Sequence, residues 1–155
     1  MKKQRMRISR IATPLMIVCG IVASGGPARA QSVDGACSNR TVQGNFGFAA
    51  DGVLIGVPGL PAEAQFRSVG ITHFDGKGNL GWLENTVVNG IPLNANWTAA
   101  SGTYTVNPNC TGTAVVNTPN SPVPLNLAFV VVKQGTEIHS VENANAIATV
   151  FNRVD

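Results

Sequence analysis

Histidine is scarce in this chain. Its 155 residues include two, His73 and His139, whereas a structural or catalytic zinc site takes three or four protein ligands. There is no C-x-x-C pair to supply the rest, so no metal site is expected. Charge is scarce as well, at 12% Asp, Glu, Lys and Arg. The G-x-S-x-G elbow, the P-loop, the H-E-x-x-H pair and the dinucleotide-binding glycine fingerprint are all missing. Asp75-Gly76-Lys77-Gly78-Asn79 lacks the alternating carboxylates and distal glutamate of a calcium loop. No cofactor is therefore expected. Outside the N-terminal region no window shows the spacing of apolar residues that an amphipathic helix needs.

The first thirty residues differ from the rest. Residues 1–10 carry Lys2, Lys3, Arg5, Arg7 and Arg10 without an acid, residues 11–23 are apolar, and Ala28-Arg29-Ala30 precedes Gln31 as an A-x-A cleavage site. This is the three-part pattern of a secretory signal peptide. The apolar run is shorter than the roughly 20 residues of a spanning helix. Cleavage is therefore expected, with no stable membrane insertion afterwards. The expected product is exported, to the periplasm or the extracellular space, and residues 31–155 form one domain. Its cations are Arg40, Arg67, Lys77, Lys133 and Arg153, five against eight acids, so the formal charge of +3 becomes −3 once the leader is gone. Five scattered cations make no basic patch, and no nucleic-acid partner is expected.

After cleavage two cysteines remain, Cys37 and Cys110, which lie 73 positions apart. In an oxidising compartment such a pair forms a structural disulfide. In the chain-entropy picture, closing a loop of this length stabilises the fold by roughly 4 kcal/mol. The bridge is expected to pin the loose start of the domain to the turn Asn107-Pro108-Asn109-Cys110.

Turn signals recur along the rest of the chain. Asp51-Gly52 and Asn89-Gly90 are two-residue hairpin pairs, Asp75-Gly76-Lys77-Gly78 is a longer turn, and Lys133-Gln134-Gly135 closes the series. Between them lie segments rich in Val, Ile, Thr and aromatic residues: 42–50, 53–57, 65–74, 79–88, 91–98, 102–107, 111–117, 125–133, 136–142 and 146–153. Successive hairpins favour a meander. The expected fold is all-β, a single antiparallel up-and-down barrel of about eight strands with one disulfide, and a β-sandwich is the alternative.

Three stretches carry a resemblance: Gly44-Asn45-Phe46-Gly47-Phe48, the run from Gly70 to Leu80, and Gly102 through Tyr104 and Cys110 to Thr113. Together they resemble a group of small exported bacterial proteins, themselves uncharacterised, with barrels similar to the allene oxide cyclase and lipocalin-like (calycin) class. These are turn and packing motifs, so the resemblance implies a fold and transfers no active-site residue.

The candidate functional residues are single polar groups on otherwise apolar strands. Glu84 shares a parity with Leu80, Trp82, Thr86 and Val88. Facing inward, it would be a carboxylate in a low-dielectric cavity, able to act as a general acid or base. Facing outward, it would be an ordinary solvated residue, the favoured reading because unpaired buried glutamates are rare. Trp82, Trp97 and Tyr104 are candidates to line a ligand pocket; Arg67 and His73, which share one parity of the segment 65–74, are further ligand-binding candidates, with Arg67 as an anchor for an acidic ligand. The apolar stretch 53–61 is a candidate lid or subunit contact. Three functions are compatible with these features. The first is a non-catalytic barrel holding a small apolar ligand in a cavity lined by the Trp82 and Phe129 faces. The second is a cyclase or isomerase using Glu84. The third is an envelope interaction protein that forms an oligomer through an exposed face such as Asn126, Ala128, Val130 and Val132.

Overall fold

The computed structural model describes residues 37–154, and the expected signal peptide at residues 1–30 lies outside them. Among the described residues nine strands follow one another: β1 (Gly44–Ile55), β2 (Glu63–Phe74), β3 (Asn79–Val88), β4 (Ile91–Pro92), β5 (Thr98–Val106), β6 (Thr111–Asn117), β7 (Leu125–Val132), β8 (Glu137–Glu142) and β9 (Ala146–Arg153). They are ordered β2-β1-β9-β8-β7-β6-β5-β3, and β3 pairs back onto β2. Eight antiparallel strands thus close into a ring, with the two-residue β4 attached to β3 as an extra. The expected barrel is what forms, and the sandwich is excluded. Closure leaves the ring without a free edge.

Side-chain parity sets the two faces. Leu80, Trp82, Glu84, Thr86 and Val88 of β3 all point inward and are buried, as are Leu127, Phe129 and Val131 of β7. The interior is built round aromatic rings. Phe74 meets Phe46 edge-on at 5.5 Å between centroids and Tyr104 at 4.9 Å, while Phe48 lies 5.4 Å from both Trp82 and Phe151. Such ring pairs add about 0.5–1.5 kcal/mol each beyond their area. Two inward glycines make room for them. Gly70 stands opposite Phe48 and Gly112 opposite Phe129, and each ring lies where a Cβ on the glycine would be.

Two local expectations change. Asp51-Gly52 is not a turn but the interior of the twelve-residue β1, where Asp51 pairs with Arg67 of β2 and Ala148 of β9. The local turn preference yields because both neighbours of β1 continue past it and offer a complete ladder. The segment 91–98 supplies only Ile91–Pro92 and the start of β5, and the rest is the loop that joins β4 to β5. Asn89-Gly90 does form the expected two-residue turn, with φ of 49° and 81°, the positive values that Asn-Gly accepts at low cost.

The strands define two ends. One carries the β2–β3, β5–β6 and β7–β8 connections and is closed by the start of the domain. The 3-10 turn Asn39–Val42 lies there, with Val42 fully buried, as does a second, Lys133–Gly135. The Cys37–Cys110 disulfide holds the first in place at a Cα separation of 5.0 Å. Cys110 sits in the left-handed region, φ 66°, after the turn in which its N–H bonds the Asn107 carbonyl. The hydroxyl of Tyr104 accepts from the Gly76 N–H at 2.9 Å and donates to the Asn39 carbonyl at 3.1 Å. Arg153 donates to the carbonyls of Gln43, Thr41 and Gly135 and stacks over Phe46 at 4.7 Å. The opposite end carries the longer loops 56–62, 89–97 and 118–124.

Candidate functional site

The inside of the barrel is filled by its own side chains. Among the described residues a small void of about 10 Å³ lies between Phe74, Trp82, Phe129 and Phe151. Ligand pockets span about 300–1,000 Å³, so the Trp82 and Phe129 faces point inward as expected but enclose no ligand-sized space.

Glu84 also points inward and is 4% exposed, which overturns the expectation that it is solvated. Its Oε1 accepts from Thr118 Oγ1 at 2.7 Å and from Asn120 Nδ2 at 3.0 Å. Asn94 from the neighbouring loop donates in turn to Asn120 and to Thr98 Oγ1. The carboxylate is therefore tolerated inside because two donors satisfy it; it anchors the loop 118–124, to which Asn94 joins the loop 89–97. Among the described residues no cation pairs with it. Next to it, Ser68 and Thr86 share a buried hydroxyl pair at 2.9 Å. The signal for burial was the parity itself, since Leu80, Trp82 and Val88 fix the inner face of β3.

The remaining candidates separate. Tyr104 is structural: burial raises its phenol above the usual range and keeps it protonated, and its hydroxyl is used up in tying the chain start to the β2–β3 turn. Arg67 and His73 lie on the outer face of β2. The Arg67 guanidinium donates to the Phe66 carbonyl at 2.7 Å, and His73 Nδ1 lies 2.9 Å from Asn45 Oδ1. Neither faces the interior, and neither is brought together with Glu84. Trp97 is likewise outside, 54% exposed on the loop after β4. Among the described residues no group of three or more His, Cys, Asp and Glu side chains could hold a metal ion.

What the sequence reading missed is on the outer surface. A trough of about 730 Å³ runs along β1. Gly47 and Ala49 supply its small outward residues. Val150, Asn152 and Val154 rise on the β9 side, Val69 and Ile71 on the β2 side, with Leu83 and Trp97 beyond. The register places these residues in rows. Gly47 lies between Asn152 and Ile71, and Ala49 between Val150 and Val69. Small residues on one strand between large ones on both neighbours are what makes the hollow. None of its lining side chains is charged, and Asn152 is the polar one among them. The pattern was visible as alternating positions in the sequence. Strand order was needed to see that they are neighbours, because β1 and β9 meet only on closure.

No protein-family model matches the sequence, and no curated protein matches it.

Proposed function

We propose that this is a non-catalytic exported barrel that binds a small apolar ligand, and that the ligand lies in the outer trough along β1 rather than inside. The trough carries this reading: its volume of about 730 Å³ falls in the range of small-molecule sites. Its chemistry sets the ligand class. The β1 backbone is paired on both sides, so the strand offers a guest no free hydrogen-bonding groups, and the side chains are neutral. Binding rests on burial of apolar surface at about 25 cal/mol per Å², with Asn152 as an orienting contact at the rim. Export is supported by the Cys37–Cys110 bridge, since disulfides persist in oxidising compartments. The isomerase reading has its carboxylate in Glu84, but among the described residues Glu84 lines neither the central void nor the trough.

The test is a fluorescence titration with N-phenyl-1-naphthylamine, a neutral apolar probe. The expected result is saturable binding to one site, abolished by Ala49→Phe, which fills the trough, and unchanged by Phe129→Leu in the interior. Probe binding indifferent to Ala49→Phe would sink the reading. So would a stable dimer in sedimentation that excludes the probe, because the trough would then be a subunit interface.

A further inference from the structure

Among the described residues the four most exposed large apolar side chains are Ile91 (69%), Val123 (63%), Ile55 (54%) and Trp97 (54%). Strand alternation puts all four at one end of the barrel, where the β1–β2, β3–β5, β6–β7 and β8–β9 connections lie. Leu93, also exposed, is there too. The connections 56–62, 89–97, 118–124 and 143–145 contain no Asp, Glu, Lys or Arg, and their polar side chains are neutral, asparagine foremost. The acids that flank them are Glu63, exposed at the start of β2, and Glu142, buried inside the barrel. Arg40, Lys77, Lys133 and Arg153, four of the five cations of residues 31–155, lie at the opposite end.

The apolar end is held in shape. The Ile55 N–H donates to Asn145 Oδ1 at 2.9 Å, which joins the β1–β2 hairpin to the β8–β9 connection. Asn94 donates to Asn120, and Glu84 accepts from Asn120 and Thr118. Six of the seven prolines after residue 30 fall in these connections. Proline restricts the backbone, so such loops lose less entropy when they dock.

Charge decides what this end fits. Recognition of anionic headgroups needs clustered Lys and Arg, and the cations lie at the far end. Protein interfaces are enriched in Arg, and these connections have none. Neutral aliphatic side chains enter the hydrocarbon below lipid headgroups without desolvating a charge, and the gain scales with the apolar area buried. Trp97 shares the outer trough with Leu83 of β3 and is set back from the loop tips. That is the level at which tryptophan settles at a membrane interface.

We propose that this end of the barrel docks reversibly on the surface of a neutral phospholipid bilayer. Ile55, Ile91, Leu93 and Val123 reach below the headgroups, and Trp97 lies among them. The barrel stands on the membrane rather than spanning it, with its cationic end in water. This inference goes beyond the outer trough and stands without it.

The test is flotation of residues 31–155, which contain the whole barrel, with vesicles of pure phosphatidylcholine at low and at high salt. Binding is expected at both. Ile91→Asp and Val123→Asp should each lower the vesicle partition coefficient about tenfold, because each replaces an inserted aliphatic group by a charge. Val130→Asp on the outer wall of β7 and Ala49→Phe in the trough should leave it unchanged. No flotation with phosphatidylcholine overturns the proposal. Binding that requires anionic lipid and disappears at high salt overturns it, as does an equal loss in Val130→Asp. A parent that stays off the vesicles and self-associates, with Ile91→Asp monomeric, also overturns it, because this end would then be a contact between copies.

Discussion

Phe48 and Gly70 face each other across β1 and β2, and the phenyl ring occupies the space a side chain on Gly70 would need. A Cβ there would come within 2.6 Å of the ring and would also strike the Leu83 carbonyl of β3. Gly70→Ala should therefore destabilise by about 1–3 kcal/mol through overpacking. Gly112→Ala, opposite Phe129, should behave alike. Gly81 is the control: the nearest atom to its added Cβ is 3.9 Å away, and Gly81→Ala should stay within about 0.5 kcal/mol. Urea denaturation midpoints separate the three. Equal midpoints for Gly70→Ala and Gly81→Ala would remove this account of how the core is filled.

Joining Cys37 to Cys110 closes a loop spanning 73 positions and holds the turn Asn39–Val42 against the barrel end. Replacing both cysteines by serine should lower stability by roughly 4 kcal/mol while leaving the far-ultraviolet circular dichroism spectrum that of a β-sheet. A variant as stable as the parent would show that the bridge does not constrain the unfolded chain.

Acid should act through Asp75. Its carboxylate is held at a pKa of about 2, down from 3.8, by the Asn79 side chain and by the N–H groups of Asn79, Lys77 and Gly78. A pKa lower in the folded state means stability that is fully present above about pH 4 and is lost as pH falls towards 2. Glu137, lowered by Lys133 and then His139, slopes the same way. Asp75→Asn should flatten the dependence of the denaturation midpoint on pH between about 2 and 4. An unchanged slope in that variant would contradict the role given to this turn.

The two tryptophans report on opposite faces. Trp82 is buried at the centre, while Trp97 is 54% exposed beside the trough. Iodide should quench only the Trp97 component, and Trp97→Phe should abolish quenching while leaving a blue-shifted Trp82 emission. If the residual Trp82 emission were also quenched, the packed interior would be wrong.

Much of the barrel was legible in the sequence, because turn residues and period-two alternation are local signals. Asn89-Gly90 and the 75–78 turn fell where expected. Asp51-Gly52 did not, since a dipeptide preference of this kind is outweighed by ladders with β2 and β9 that the local sequence does not display. Glu84 shows the same limit for sites. Its parity marked the inner face, but Thr118 and Asn120, which make its burial tolerable, lie more than thirty positions away. The trough depends on contacts between β1 and β9 at the two ends of the domain, so its walls became neighbours only through closure.

The account rests on the outer surface, not the interior, as the ligand-binding face. The most direct measurement is methyl chemical-shift mapping during titration with N-phenyl-1-naphthylamine. The account predicts saturable shifts at Val69, Ile71, Leu83, Val150 and Val154, with Leu80, Leu127, Val131 and Ile138 unmoved. Shifts concentrated at the second group would place the ligand inside the barrel and contradict it.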